Sequence, residues 1–178
     1  MQIGESATVD LKLTPVWILI MGVSGSGKST ISQSVADRLG GEYIEGDDFH
    51  SPKSKEKMKA GIPLNEEDRE PWLEAILGTV RSKVEYAVPV VACSALREVH
   101  RTKLAELPYM LIYLKDNFAQ IEQRIKSRTS HFMPVCLLES QFETLEEPGN
   151  ALVIPAGLDK YTVTEKVIAH WLKTIKVK

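Results

Sequence analysis

The stretch from Val16 to Thr30 constrains the fold of this chain more than any other part of it. It opens with a run of apolar and β-branched residues, Val16 to Met21, which is typical of a buried strand. The next eight letters, GVSGSGKS from Gly22 to Ser29, fill every fixed position of the pattern G-x-x-x-x-G-K-[ST]. Apolar residues at helical spacing follow as far as Leu39. A strand, a phosphate-binding loop and a helix in this order predict a nucleoside triphosphate site.

Each part of this loop has an expected task. Glycines without Cβ atoms let backbone N–H groups approach phosphate oxygens closely. Lys28 is expected to reach the β- and γ-phosphates, and the hydroxyl of Ser29 is expected to ligate Mg²⁺. A turn that only joins strand to helix is the disfavoured alternative, because both flanks fit the motif. The residues assigned to nucleotide binding are Gly22, Val23, Ser24, Gly25, Ser26, Gly27, Lys28, Ser29 and Thr30.

Length and composition narrow the class of protein. A chain of 178 residues favours a single domain, which we place at residues 15–178 after a loose leader at 1–14. The net charge of −2 gives no general reason to expect binding to nucleic acid or to an acidic membrane. Two cysteines, Cys93 and Cys136, stand far apart in apolar surroundings, which favours free thiols and the reducing cytoplasm.

Strand patterns alternate with helix patterns along the whole chain. This alternation predicts a three-layer α/β/α fold with a five-stranded parallel sheet. Two polar insertions interrupt it, and we interpret residues 48–72 as a substrate flap and residues 129–137 as a lid. The expected strands lie near residues 16–21, 42–44, 87–93, 109–114 and 151–154.

Polar residues follow the second and third predicted strands. Asp47, Asp48 and His50 come directly after the second strand, at the edge where the phosphate loop also lies, and could handle a hydroxylated substrate. The alternative is that one of these aspartates only caps the next helix. After the third strand, Ser94 is a plausible N-cap for a helix that would carry Arg97 near the same edge.

Three classes of protein share such a phosphate loop: small-molecule kinases, GTPase switches and ATP-driven motors or regulators. The guanine-reading pattern N-K-x-D is absent from the sequence. No long apolar strand ends in the Asp-Glu pair of motor ATPases. The small size and a phosphate loop near the start therefore favour a small-molecule kinase.

A set of motifs makes this interpretation specific. The segments MGVSGSGKST, GDDFH, KM-x-x-G-x-PL-x-x-x-DR-x-PWL, CSALR, HF and SQF-x-TLEEP resemble the gluconokinase family, in that family's order, from about Val16 to Pro148. The resemblance implies transfer of phosphate from ATP, with Mg²⁺, to D-gluconate, giving 6-phospho-D-gluconate for the pentose phosphate route. It also implies a possible homodimer. A related kinase for shikimate or a nucleotide, and a non-catalytic ATP-binding regulator, are the alternatives.

The resemblance also implies roles for single residues. Asp47 matches the acidic residue that meets the substrate hydroxyl, while Glu45 stands where the family often has Asp and Ser130 replaces a glycine of the lid. The implied catalytic residues are Lys28, Asp47, Arg124 and Arg128, the last two closing over the nucleotide. The implied substrate-binding residues are Asp47, His50, Lys57, Arg69, Ser94 and Arg97, with His131 and Phe132 in the lid.

Overall fold

The computed structural model describes residues 15–127 and 135–176. The predicted leader, most of the predicted lid, Arg128 and the His131-Phe132 pair lie outside these residues. Among the described residues, no helix combines the length and the apolar character needed to cross a membrane.

A five-stranded parallel sheet forms the centre of the molecule, as the sequence predicts. Its strand order is β2-β3-β1-β4-β5, and all four neighbouring pairs are parallel. Because the strands are parallel, their carboxyl ends meet at one edge, where α/β proteins place their ligands. The strands are β1 (Trp17–Met21), β2 (Glu42–Glu45), β3 (Pro89–Ala92), β4 (Tyr109–Lys115) and β5 (Leu152–Pro155).

Helices connect the strands and cover both faces of the sheet. They are α1 (Lys28–Leu39), α2 (Pro52–Lys59), α3 (Glu66–Lys83), α4 (Glu98–Leu104), α5 (Phe118–Ser127), α6 (Val135–Thr144) and α7 (Lys160–Lys176). A 3₁₀ turn, Gly46–Phe49, follows β2 directly. The α/β/α fold class predicted from the sequence is confirmed.

The alternation of side chains along β1 divides the core into two layers. Ile18 and Ile20 pack with residues of α1 and α7 on one face. Leu19 and Met21 pack on the other face with residues of α3, and all four side chains are fully buried. Burial on both faces explains why β1 is a continuous apolar run instead of an alternating one.

A smaller apolar cluster joins α5 and α6 to the phosphate loop. Val23 of the loop, Leu96 after β3, Ile121 of α5 and Leu138 of α6 are its buried members. Phe118 and Phe142 add an edge-to-face pair between the two helices, with ring centroids 5.5 Å apart. The two helices that flank residues 128–134 therefore pack against the nucleotide-binding loop.

The helix cap predicted at Ser94 is wrong, and the alternative role of the aspartates after β2, as caps of the next helix, is also excluded for α2. Ser94 does not cap a helix, because Ala95 turns the chain with a φ of +41° and α4 begins only at Glu98. The backbone N–H of Glu98 is instead satisfied by Glu146, whose Oε2 atom accepts it at 2.5 Å. The aspartates after β2 do not cap α2, because the hydroxyl of Ser51 accepts the N–H of Ser54.

Trp72 of α3 contacts both ends of the 3₁₀ turn. Its indole Nε1 donates to the carbonyl of Gly46 at 2.7 Å in a buried hydrogen bond. Its ring stacks on His50 with a centroid distance of 4.4 Å. One buried side chain of the core therefore holds both ends of the segment that carries Asp47.

Trp72→Phe tests this support. The substitution leaves the buried carbonyl of Gly46 without its donor, and we expect the free energy of unfolding in urea to fall by about 1–3 kcal/mol beyond the loss of ring volume. Trp171→Phe is the matched control, because Trp171 is buried on the opposite face of the sheet, and its indole forms no hydrogen bond with the residues that the structure describes. Equal losses in the two variants would contradict the assigned hydrogen bond.

Candidate active site

The phosphate loop has a backbone conformation that residues other than glycine would not adopt easily. Gly25 has a φ of +82°, and a Cβ atom there would come within 2.9 Å of Ile125 in α5. Gly27 has a φ of +93° and caps α1, so that the first free N–H groups of this helix lie directly after the loop. Such a helix N-terminus with a glycine-rich approach suits the phosphates of a nucleotide.

Lys28 lies at the start of α1 with its ammonium group inside the loop. Its Nζ donates to the carbonyl of Val23 at 3.0 Å. Burial lowers the pKa of Lys28 below the ordinary lysine value, and the nearby carboxylates of Asp47 and Glu45 oppose this effect. A phosphate group arriving at the loop would add further negative charge and so favour the charged ammonium.

Glu45 at the end of β2 accepts three hydrogen bonds, two of which connect the phosphate loop to the turn after β2. Its Oε2 atom accepts hydrogen bonds from the hydroxyls of Ser29 at 2.5 Å and Tyr43 at 2.6 Å. Its Oε1 atom accepts the backbone N–H of Asp47 at 3.3 Å. Desolvation, together with the hydrogen bond to Glu45, raises the pKa of Tyr43, so this hydroxyl acts as a hydrogen-bond donor at neutral pH.

This oxygen-rich corner fits a magnesium ion. Mg²⁺ prefers oxygen ligands, usually keeps several waters, and binds through one or two protein groups together with substrate phosphates. Within residues 15–127 and 135–176, no group of three or more His, Cys, Asp or Glu side chains could hold a metal. Ser29 and Glu45, whose side-chain oxygens lie 2.5 Å apart, offer oxygen atoms of this kind beside the phosphate loop.

Asp47 and His50 lie together on the turn after β2. Their side chains approach within 3.8 Å, between Asp47 Oδ1 and His50 Nε2. Asp47 is 65% exposed, so its carboxylate is free to meet a substrate, whereas His50 is only 5% exposed and stacks on Trp72. Within the described part of the chain, the buried Nδ1 atom of His50 has no hydrogen-bond partner.

One cavity of about 700 Å³ opens at the carboxyl edge of the sheet. It joins the phosphate loop to the flap and to α6, and its volume suits a nucleotide together with a small acceptor. The predicted site residues that line it are Ser24, Gly25, Gly27, Lys28, Ser29, Thr30, Asp47, His50, Arg69 and Ser94.

Other predicted site residues are not part of this lining. Gly22, Val23 and Ser26 belong to the phosphate loop but lie outside the cavity wall. Lys57 donates to both oxygens of Asp68, at 2.6 and 2.9 Å. Arg124 donates to Asp116 Oδ2 at 2.5 Å, and that carboxylate is only 5% exposed.

Arg69 and Arg97, the two arginines predicted to meet the substrate, share one carboxylate. Glu66 Oε1 accepts from Arg69 Nη1 at 3.2 Å and from Arg97 Nη1 at 2.6 Å. Its other oxygen, Oε2, lies 3.0 Å from His100 Nε2. The hydrogen bond to His100 holds the pKa of Glu66 below its usual range. Of the two arginines, only Arg69 lines the cavity.

Sequence reasoning missed three residues of the site: Tyr43, Glu66 and Gln141. Tyr43 counted only as part of a strand, and Glu66 only as part of a charged helix start. Gln141 belongs to the motif SQF-x-TLEEP, which carried the family resemblance without any assigned role. That motif was the one available signal, and the structure places Gln141 in the cavity wall beside Ser24.

A phosphate loop that opens into the same cavity as an exposed carboxylate and an arginine defines a class of enzyme. The protein is a P-loop kinase that acts on a small molecule. The family model for shikimate kinase matches residues 24–150. A gluconokinase of Gluconobacter oxydans is 38% identical, with 89% of this chain and 93% of that protein covered. The thermoresistant gluconokinase of Escherichia coli is 40% identical, with 89% and 92% covered.

Solved structures agree with these relatives. A gluconokinase from Sinorhizobium meliloti superposes with a TM-score of 0.81 at 36% identity, covering 90% of this chain and 94% of that one. The chain belongs to the gluconokinase family, within the wider group of kinases that the shikimate kinase model describes.

The buried state of His50 predicts a dependence of stability on pH. Burial lowers the pKa of His50 below the ordinary 6.5, against the opposing effect of Asp47. As the pH falls below about 6.5, the unfolded chain takes up a proton that the folded protein binds more weakly, so the free energy of unfolding decreases. We expect the free energy of unfolding of the His50→Gln protein to fall less steeply with decreasing pH, by at most about 1.4 kcal/mol per pH unit.

Urea unfolding between pH 7 and pH 5 measures the effect. His100→Gln is the companion variant, because burial also lowers the pKa of His100 and the sign is the same. A slope that is unchanged in the His50→Gln protein would contradict the neutral, buried state of this imidazole.

Proposed function

We propose that this protein transfers the γ-phosphoryl group of ATP to the 6-hydroxyl of D-gluconate, giving ADP and 6-phospho-D-gluconate. The observation that carries the proposal is the shared cavity, which Asp47 and Arg69 line together with the phosphate loop. Relatives called gluconokinases, 38% and 40% identical over 89% of this chain, support the choice of acceptor.

Asp47 is the group that we assign to the acceptor hydroxyl. Glu45 fixes the backbone N–H of Asp47, and Trp72 fixes the turn on which Asp47 lies. The Asp47 carboxylate itself has no hydrogen bond that competes with the substrate within the described residues, and it is largely exposed. Because phosphoryl transfer has a largely dissociative transition state, Asp47 would orient the hydroxyl first and accept its proton late.

Arg69 is the group that we assign to the carboxylate of gluconate. A guanidinium group can bind a carboxylate with two parallel hydrogen bonds, which fixes one end of the substrate. Arg97 and Lys57 are less suited to this task, because neither of them lines the cavity. Arg69 and Asp47 line the same cavity, so we assign the two ends of the substrate to these two groups.

The remaining groups neutralise charge on the γ-phosphoryl oxygens. Lys28 lies at the loop, and the hydroxyl of Ser29 would hold Mg²⁺ with Glu45 beside it. When bound, the metal supplies charge neutralisation across the β- and γ-phosphate oxygens. Arg124 and Arg128 stay predicted partners of the nucleotide; Arg124 would have to exchange its bond to Asp116 for one to a phosphate.

Shikimate is the second candidate acceptor, because the shikimate kinase family model matches most of the chain. It also carries a carboxylate that an arginine could hold. The gluconokinase relatives are more specific than this broad match, and they place gluconate first.

A coupled assay of ADP release with Mg-ATP tests the proposal. We expect turnover with D-gluconate, formation of 6-phosphogluconate, and rates near the acceptor-free background with shikimate and other sugar acids. Asp47→Asn is the variant that links turnover to the assigned group, since it keeps the shape but removes the base. We expect kcat to fall on the order of 10²- to 10⁴-fold while ATP is still bound.

The outcomes of this assay separate the alternatives. Turnover with shikimate alone would replace gluconate as the acceptor and leave the nucleotide site unchanged. Near-full gluconate turnover in the Asp47→Asn protein would contradict the role assigned to this carboxylate.

Arg69→Met and Arg97→Met form a matched pair, because both arginines donate to Glu66 but only Arg69 lines the cavity. We expect Arg69→Met to raise the KM for gluconate about 10- to 100-fold, the loss of one charge-assisted interaction. Arg97→Met should change it by less than about threefold. Steady-state kinetics at saturating ATP give both values, and the reverse order would assign the carboxylate to Arg97.

A further inference from the structure

Gln141 of α6 contacts the phosphate loop directly. Its Oε1 atom accepts the backbone N–H of Ser24 at 2.7 Å, and its Nε2 atom lies 3.1 Å from the hydroxyl oxygen of Ser24. The two residues are 117 positions apart in the chain, and both line the cavity. One side chain therefore forms hydrogen bonds with both the backbone N–H and the hydroxyl of Ser24.

The contact lies where two helices enclose the loop. At the next residue, Gly25, Ile125 of α5 packs so closely that a Cβ atom would meet it at 2.9 Å. The pair of Phe118 and Phe142 holds the two helices together. The outer part of the loop is thus held between an apolar contact from α5 and a polar contact from α6.

A carboxamide has the right chemistry for this position. A backbone N–H in a cavity wall requires an acceptor, and a serine hydroxyl can use a donor. Gln141 supplies both without charge. A carboxylate could also accept from Ser24, but it would repel the triphosphate, whereas an apolar side chain would leave the N–H unsatisfied.

We propose that Gln141 is a positioning residue for ATP. It fixes Ser24, so that the backbone N–H groups that follow in the loop face the phosphates of the nucleotide. The proposal rests on the ATP half of the proposed function and is independent of which acceptor is used.

Calorimetric titration with Mg-ATP in the absence of acceptor measures the effect directly. Gln141→Met keeps the length of the side chain and removes both hydrogen bonds, and we expect ATP to bind about tenfold more weakly. In the coupled assay the KM for ATP should rise by the same factor, while the KM for gluconate stays within about twofold. Gln123→Met is the matched control, since Gln123 is an exposed glutamine of α5 and should bind ATP like the parent protein.

Two further variants distinguish positioning from a general structural role. Gln141→Glu retains acceptor atoms for Ser24 but adds negative charge, so we expect parental Tm and ATP binding weaker than in Gln141→Met. Ser24→Ala in the Gln141→Met background should add less to the loss than Ser24→Ala alone, because the two groups act as one pair.

The proposal is overturned if both Gln141 variants bind ATP within about twofold of the parent protein. It is also overturned if Gln141→Met lowers the Tm and weakens both substrates equally. Failure of the parent protein to phosphorylate gluconate would leave the titration readable, so the two proposals can fail separately.

Discussion

The burial of β1 on both faces and both edges is the constraint on which the active site depends. This strand is hydrogen-bonded to β3 and β4, and its side chains pack into two separate layers of the core. Only one residue follows it before Val23 enters the cluster between α5 and α6. The phosphate loop therefore begins from a fixed point, which reduces the ordering that its backbone must undergo when a nucleotide arrives.

Local patterns in the sequence were sufficient for the sheet and the phosphate loop. Continuous apolar runs predicted β1, β3 and β4, whose interior side chains are buried, because a strand that is covered on both faces carries apolar residues on both sides. The loop glycines predicted a backbone that only glycine adopts readily, and Gly25 and Gly27 do have positive φ angles. The position of Asp47 followed from the rule that parallel strands share one carboxyl edge.

Local patterns could not predict contacts between distant parts of the chain. The bond between Gln141 and Ser24 depends on how α6 packs, which no local periodicity encodes. The cap expected at Ser94 failed for a related reason: Glu146, far along the chain, supplies the acceptor that α4 needs. The roles of charged residues were the hardest to predict. A lysine or arginine that is paired with a carboxylate of the protein cannot be distinguished in the sequence from one that is available to a substrate.

In the free enzyme, the carboxylate of Glu66 pairs with Arg69, the residue that we propose to bind the carboxylate of the substrate. Arg69 already holds this anion across a partly exposed contact of 3.2 Å. An uncharged sugar would have to displace a charged partner with neutral hydroxyls, whereas a sugar acid exchanges one carboxylate for another at little electrostatic cost. Under the role that we propose for Arg69, discrimination between acids and neutral sugars would begin in the resting state of the site, before any contact with the reacting hydroxyl.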